Sequence, residues 1–150
     1  MSVPRILVVD DDKAVRTVLK VNLSKNGMDV TLAANPAEAL ELLHVAPYDL
    51  VLTDVKMPGA TGLELLERAR AAWPDTPVVV MTGYGSVADA VQAMKTGAAD
   101  YIIKPIAKDE LLLIIRRALE QRALKAELLL LRKEVQEKFG FENLIGTTPA

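Results

Sequence analysis

Five polar residues of this sequence could together carry out a reaction that none could support alone. They are three carboxylates, a hydroxyl and an amine: Asp10, Asp11, Asp54, Thr82 and Lys104. Brought together, the carboxylates would repel one another, and the pKa of at least one would rise. A hard divalent cation removes that conflict, and Mg²⁺ needs only a few carboxylates besides water and phosphate oxygens. An aspartate can act as a nucleophile, while a lysine and a hydroxyl suit phosphoryl oxygens, so the set could accept a phosphoryl group.

Each of these residues also has a plain structural interpretation. A run of aspartates after a strand is usually a solvated turn. A threonine at a strand end often bonds to backbone, and most lysines lie on the surface. Asp54 shortly precedes the loop sequence Met57-Pro58-Gly59 and could simply start a turn. The chemical interpretation therefore depends on whether the fold brings all five residues to one place.

The alternation of apolar runs and helical patterns predicts an α/β fold. Short continuous apolar runs are typical of strands covered on both faces, and each is followed by an amphipathic pattern typical of a helix. Strands are expected near residues 6–9, 29–33, 50–54, 78–82 and 101–103, and helices near 13–26, 36–44, 62–72, 86–97 and 108–138. This order predicts a doubly wound, five-stranded parallel sheet with right-handed crossovers and an extended C-terminal helix.

Local signals indicate where several helices begin and which faces they bury. In the first helix one face should carry Val15, Val18, Leu19 and Leu23, with Gly27 as the stop. The sequence Asn35-Pro36 is typical of a helix start, and Ser86 can cap the fourth helix.

The predicted strands place the polar residues on one edge of the sheet. In doubly wound sheets the site lies beyond the carboxyl ends of the strands, at the topological switch point. The first strand ends at Asp10, the third at Asp54, the fourth at Thr82 and the fifth at Lys104. Four strand ends with matching chemistry on one edge favour the functional interpretation over four separate structural ones.

Four stretches of the sequence resemble the receiver domains of bacterial two-component response regulators. The resemblance extends over residues 1 to about 122 and is carried by residues 6–12, 54–59, 79–83 and 97–105. It implies a flavodoxin-like sheet with strand order 2-1-3-4-5. It also implies a regulatory domain, not an enzyme in the usual sense, that takes a phosphoryl group from a sensor histidine kinase or a small phosphodonor.

The resemblance assigns roles to individual residues. Asp54 would be the phosphoacceptor, Asp11 a direct Mg²⁺ ligand and Asp10 a support for the metal, with the backbone carbonyl of Lys56 as a further ligand. Lys104 would bind the phosphoryl group, and the Lys104–Pro105 bond would be cis.

Thr82 and Tyr101 resemble the pair that couples phosphorylation to the face formed by the fourth helix, fifth strand and fifth helix. Asp12 has no clear counterpart and is interpreted as a local charge.

The last helix is longer than a receiver domain needs. The spacing of Leu124, Leu128, Leu131 and Val135 by four, three and four residues predicts a coiled-coil seam and hence a homodimer. Continued backwards, the same register meets Gln121, Arg117 and Ile114, so the seam is imperfect, and a lone amphipathic helix is the alternative.

The final residues suggest that a further domain follows. Residues 140–150 resemble the opening of the AAA+ ATPase domain of sigma-54-dependent activators. The expected organisation is a receiver domain at 1–122, a linker helix at 123–139 and the start of a truncated AAA+ domain at 140–150. The full-length protein would then also carry a DNA-binding domain, and phosphorylation would change the dimer arrangement to regulate the ATPase.

The composition of the chain limits the classes of molecule to which it could bind. The net charge is −2 with acidic and basic residues nearly balanced, which argues against direct nucleic-acid binding by this fragment. The chain has no cysteine, so thiolate metal sites and disulfides are excluded. Its longest apolar runs are too short to span a bilayer, and neither a signal peptide nor membrane association is expected, so a cytoplasmic location is the expectation.

Three other functions share some of these features. A haloacid-dehalogenase-type phosphatase needs a second aspartate two residues after the nucleophile, where this chain has Lys56. A flavodoxin-like cofactor carrier needs a phosphate loop after the first strand, where this chain has three aspartates. A structural dimerisation module that is never phosphorylated remains open.

Overall fold

The structure is a computed structural model that describes residues 3–57, 60–83 and 87–144. The main sheet has five strands: β1 (Arg5–Val9), β2 (Asp29–Ala33), β3 (Leu50–Asp54), β4 (Val78–Thr82) and β5 (Asp100–Ile103). The helices are α1 (Lys13–Ser24), α2 (Pro36–Val45), α3 (Gly62–Ala72), α4 (Val87–Thr96) and α5 (Lys108–Leu144). Strands and helices alternate as predicted.

All five strands run parallel in the order β2-β1-β3-β4-β5. The doubly wound sheet and its predicted strand order are therefore confirmed. Register pairs Val9 with both Ala33 and Thr53, Asp54 with Met81, and Thr82 with Ile103, so the carboxyl ends of neighbouring strands lie side by side.

Two apolar clusters cover the two faces of the sheet. Alternate β1 residues point to opposite sides: Ile6 and Val8 pack with residues of α1 and α5, and Leu7 and Val9 with residues of α2, α3 and α4. Every residue of β3 and β4 is buried. Burying one such aliphatic side chain is worth about 1.5–3 kcal/mol before the entropy cost of ordering it. The two clusters hold the strand ends in fixed relative positions, which a site shared by four strands requires.

The prediction for one α1 residue is wrong. Val18 is 57% exposed, whereas Leu19 and Leu23 are buried and Val15 is partly buried. At 100° per residue Val18 lies about 100° from the centre of the face formed by the other three, at its flank. The helix also ends at Ser24, two residues earlier than predicted, and Gly27 with φ of +82° turns the chain towards β2.

Other element bounds differ at their ends. The predicted loop after β3 contains a short antiparallel pair, Lys56–Met57 with Ala60–Thr61. Helix α5 continues through Gly140 to Leu144 instead of ending near Lys138, since a single glycine costs a helix only about 1 kcal/mol. Asn35 caps α2 and Pro36 begins it, as predicted, whereas Ser86 lies outside the described residues.

Contacts divide the chain into two units, Met1–Leu119 and Glu120–Ala150. The first contains the sheet. In the second, the described residues are helical as far as Leu144, and the four residues of the predicted seam are 48–64% exposed. None of the described helices has an apolar stretch long enough to cross a membrane.

Candidate functional site

The site is built where four parallel strands end. Asp10 follows β1, Asp54 is the last residue of β3, Thr82 is the last of β4, and Lys104 follows β5. β3 and β4 are buried throughout and β1 from Ile6 to Val9, so burial fixes the backbone that carries three of the polar groups. In β5 only Ile102 is buried, two residues before Lys104. The expected convergence of these strand ends on one edge is observed.

The three predicted carboxylates form one cluster. One oxygen from each of Asp10, Asp11 and Asp54 lies within 4.8 Å of the other two. Asp10 is fully buried and Asp54 is 8% exposed, whereas Asp11 is exposed. A cluster with two buried members and one exposed member offers hard oxygen ligands while leaving a side open to solvent, as a partly hydrated divalent cation requires.

Lys104 lies between the two buried carboxylates. Its Nζ donates to Asp54 Oδ2 at 2.9 Å and to Asp10 Oδ2 at 3.1 Å. Burial lowers the pKa of Lys104, but the hydrogen bonds to Asp54 and Asp10 outweigh burial and the net shift is upward, so the amine stays charged. The Lys104–Pro105 peptide bond is cis, as the resemblance to receiver domains implied.

The charged form of Asp54 is less well stabilised than that of Lys104. Burial raises its pKa, the hydrogen bond and charge of Lys104 lower it, and the charge of Asp10 raises it again, with a net upward shift. A carboxylate whose charge is incompletely compensated is stabilised when a cation binds beside it or when a new group shares its charge.

Backbone groups orient the carboxylates further. Asp10 Oδ1 accepts from the Asp12 amide at 2.9 Å, and Asp54 Oδ1 accepts from the Lys56 amide at 3.2 Å. Lys56 therefore lies beside Asp54, while its Nζ turns to Asp89 at 3.4 Å.

Asp12 has a role that the sequence interpretation missed. Its side chain accepts from the amides of Ala14, at 2.9 Å, and Val15, at 3.4 Å, and so caps α1. An aspartate directly before the first turn of a helix is a common start signal, so the sequence did carry this information.

The Thr82 hydroxyl lacks a partner in the described part of the chain. Its Oγ1 is buried and accepts or donates no hydrogen bond there. Leaving such a group unpaired costs about 1–3 kcal/mol, so an oxygen that bonded to it would recover that free energy. This orphaned hydroxyl suits a site that receives an anionic group.

Tyr101 lies apart from the carboxylates. It is the second residue of β5, pairs with Val80, and is 39% exposed. With its neighbours it lines a largely apolar surface cavity of about 380 Å³ between α4 and β5, formed by Val87, Ala90, Val91, Met94, Lys95, Tyr101 and Ile103.

Two further residues act on the site and were not identified from the sequence. A Cβ atom at Gly62 would lie 2.0 Å from the backbone oxygen of Asp54, so only glycine fits there. Arg16 Nη1 donates to the backbone carbonyl of Asp10 at 2.7 Å. Both contacts join residues only six and eight positions apart in the chain, but no local sequence pattern marks them.

Comparison with known proteins gives a consistent result. The response regulator receiver domain family matches residues 6–116. The chain is 36% identical over 149 residues to the regulatory protein AtoC of Escherichia coli strain K12. It is 38% identical over 146 residues to the C4-dicarboxylate transport transcriptional regulatory protein DctD of Rhizobium meliloti strain 1021. These alignments cover 99% and 97% of this chain but only 32% of each relative, so the chain spans about a third of their length.

Solved structures show the same fold. The receiver domain of NtrX from Brucella abortus superposes with a TM-score of 0.75 at 37% identity, over 77% of this chain and 98% of that domain. A CheY-like receiver domain protein from Methanospirillum hungatei JF-1 gives 0.78 at 35% identity, over 83% and 99%. The chain therefore belongs to the response regulator receiver domain family, the phosphorylation-dependent regulatory domains of two-component signalling.

Proposed function

We propose that Asp54 accepts a phosphoryl group from a sensor histidine kinase or a small phosphodonor, in a reaction that depends on Mg²⁺. The observation that carries the proposal is the meeting of Asp54 with Lys104 and the other two carboxylates, beside the orphaned hydroxyl of Thr82. A nucleophilic carboxylate, a mobile cation and an unpaired donor are what acceptance of a phosphoryl group needs.

The donor set fits Mg²⁺. Asp10, Asp11 and Asp54 supply carboxylate oxygens within 4.8 Å of one another, and the backbone carbonyl of Lys56 is the fourth proposed ligand. When bound, Mg²⁺ would neutralise the clustered carboxylates and offset the charge of the phosphoryl oxygens. The raised pKa of Asp54 supports this proposal, because it indicates a negative charge that the protein compensates only in part.

The residues of the chain then have distinct tasks. An Asp54 carboxylate oxygen forms a bond to phosphorus as the bond between phosphorus and the donor breaks. Lys104, now bonded to Asp54 and Asp10, can turn its Nζ to a phosphoryl oxygen, since a flexible ammonium re-aims readily. Thr82 Oγ1, which has no hydrogen-bond partner among the described residues, would gain one.

Thr82 and Tyr101 are the proposed switch. If Thr82 moves towards the phosphoryl group, room opens near β5 into which Tyr101 can turn, and the face formed by α4, β5 and α5 changes. A surface cavity of about 380 Å³ lined by Tyr101 and α4 side chains lies on this face, and this supports the proposal that the ring has space to move. Phosphorylation would favour one of two pre-existing arrangements.

The wider role follows from the relatives and the tail. We infer a receiver domain at 1–122, a linker helix at 123–139 and the first residues of an AAA+ domain at 140–150. In the full-length protein the domain would regulate a transcription-activating ATPase attached to a DNA-binding domain, through a homodimer whose arrangement phosphorylation changes. The curated names of AtoC and DctD, both regulatory proteins about three times as long, support this inference.

A phosphatase of the haloacid dehalogenase type is disfavoured. Its general acid would have to stand where this chain has Lys56, whose Nζ pairs with Asp89 instead of facing Asp54. A purely structural dimerisation module would not need three clustered carboxylates with an unpaired hydroxyl beside them.

The proposal is tested by incubating the chain with acetyl phosphate and Mg²⁺ and counting added phosphoryl groups by intact mass. Wild type should gain one, and Asp54→Asn, which keeps the shape but loses the anion, should gain none. Asp29→Asn, at the amino end of β2 on the opposite edge, is the matched control and should label as wild type does. Equal labelling of the Asp54→Asn variant would refute the assignment.

A further inference from the structure

The side chain of Arg16 reaches from α1 back to the loop that carries the acidic cluster. Its Nη1 donates to the Asp10 carbonyl at 2.7 Å in a part-buried contact. Asp10 lies one residue past β1, whose last pair with β3 is Val9–Thr53, so this carbonyl lies beyond the end of that ladder. Arg16 therefore supplies the Asp10 carbonyl with a hydrogen-bond donor that the pairing of β1 with β3 does not provide.

The bonded carbonyl belongs to the peptide group that joins Asp10 to Asp11. Because that group is planar, a bond to its oxygen fixes the plane from which the Asp11 backbone continues. The loop is also tied on both sides of Asp11: the Asp10 amide donates to Ala33 O at 3.2 Å, and the Asp12 amide donates to Asp10 Oδ1. Asp11 itself is exposed, so packing does little to aim its carboxylate.

We propose that Arg16 is a positioning residue for the metal site. It holds the Asp10–Asp11 peptide group so that the exposed Asp11 carboxylate stays within reach of Asp10 and Asp54. The inference rests on the proposed function, since it assumes that Mg²⁺ binds at this cluster. Residues that orient ligands in this way typically change metal affinity 10- to 100-fold when replaced.

The charge of Arg16 acts in the opposite direction. A permanent positive charge near the cluster weakens the binding of a cation, so its loss alone would tighten Mg²⁺ binding. Arg16 is only partly buried, and solvent screens such a charge. We therefore expect the loss of the tether to outweigh the loss of the charge.

Isothermal titration of the full chain with MgCl₂, without phosphodonor, measures the effect directly. Arg16→Met keeps the apolar stem but removes the donors, and should weaken Mg²⁺ binding about 10-fold. Arg16→Lys is one atom shorter but keeps a charged donor, and should recover most of the affinity, to within about 3-fold of wild type. Lys20→Met removes a charge from an exposed position of the same helix and should leave the affinity unchanged.

The outcomes separate the inference from the proposed function. If wild type does not bind Mg²⁺, the proposed metal site is wrong. If wild type binds and Arg16→Met binds equally well or more tightly, the positioning role is overturned. If Arg16→Met does not fold, Arg16→Gln, which is too short to reach the carbonyl, should show the same weakening, and wild-type affinity there would overturn the role equally.

Discussion

Asp11 differs from the other two carboxylates in its environment. Asp10 is held by Lys104 and by the Asp12 amide, and Asp54 by Lys104 and the Lys56 amide, whereas Asp11 is exposed at the rim. Two of the carboxylates therefore have their charge partly compensated within the protein. The charge of the third, Asp11, is available to a cation that binds from solvent.

Replacing Asp11 with alanine should weaken Mg²⁺ binding, because one hard ligand is lost, and slow phosphorylation by acetyl phosphate. It should also relieve repulsion within the cluster, so that the metal-free variant melts at or above the wild-type temperature. Thermal melts with and without MgCl₂ measure both effects. A variant that Mg²⁺ stabilises as much as wild type would show that Asp11 is not a ligand.

The positions of most of the site residues could be predicted from the sequence for a simple reason. At Asp10, Asp54, Thr82 and Lys104 an apolar run meets a polar side chain, and parallel topology then puts these strand ends on one edge. Arg16 and Gly62 were not predictable, because each acts through one tertiary contact with a backbone oxygen. Such contacts depend on distances between elements that periodicity does not contain.

At the scale of elements, the start of α3 packs directly against the end of β3. The Gly62 amide donates to Val55 O at 2.7 Å, and its Cα faces the Asp54 carbonyl so closely that a side chain would collide with backbone. Backbone atoms cannot swing away as a flexible side chain can. Any residue larger than glycine must therefore move the end of β3, α3, or both.

Gly62→Ala should consequently lower both stability and labelling at Asp54. Overpacking of this kind typically costs about 1–3 kcal/mol, and a misplaced nucleophile should slow phosphorylation further. Urea unfolding and the rate of labelling by acetyl phosphate measure the two effects. Gly27→Ala serves as a control: its strained φ should lower stability while open space and distance leave labelling intact.

Among the elements, α1 was predicted less well than the strands. Strand faces alternate strictly, so the inward positions of β1 follow from the sequence alone. Val18 lies at the flank of the apolar face of α1. Whether a residue at such a position is buried depends on tertiary packing, which the helical period does not determine. The bounds of α5 likewise depended on whether Gly140 would end the helix, which propensity alone leaves nearly balanced.

The proposed switch would involve three elements at once, β4, β5 and α4. Thr82→Ala should accept a phosphoryl group at Asp54 but respond weakly on the α4–β5 face, because the hydroxyl that would be drawn towards the phosphoryl group is missing. Two-dimensional NMR of phosphorylated wild type and the variant would compare the shifts of Tyr101 and the α4 residues. Identical shifts in both would exclude coupling through Thr82.

At the scale of the whole molecule, the second unit exposes far more leucine than a solvated helix needs. Leu124, Leu128, Leu131 and Val135 are each about half exposed or more. The register cannot extend back into the first unit, because Ile114 is buried in the core and Arg117 pairs with Asp100. The predicted seam is therefore short, and neighbouring residues would have to determine its partner and the orientation of the two chains.

The charges beside the seam supply that specificity. In the heptad register that places the seam at the core positions, Glu120, Glu127 and Glu134 occupy one flank and Lys125 and Arg132 the other. In a parallel, in-register dimer Glu120 would lie opposite the partner's Lys125 and Glu127 opposite the partner's Arg132, each five positions later in the chain. An antiparallel pairing would instead set like charges together, so a parallel pair of identical chains is favoured.

A double replacement of Leu128 and Leu131 by lysine should therefore convert a homodimer to monomers. Each buried seam side chain contributes about 1.5–3 kcal/mol before ordering costs, and the lysines would also place like charges at the interface. The matched control replaces Leu129 and Leu130 by lysine, which adds the same charges outside the core positions and should leave the dimer intact. Sedimentation equilibrium measures both, and acetyl phosphate should still label Asp54 in each variant, since the sheet lies in the other unit. A wild type that stays monomeric at tens of micromolar, phosphorylated or not, would show that these leucines do not form a seam between two chains.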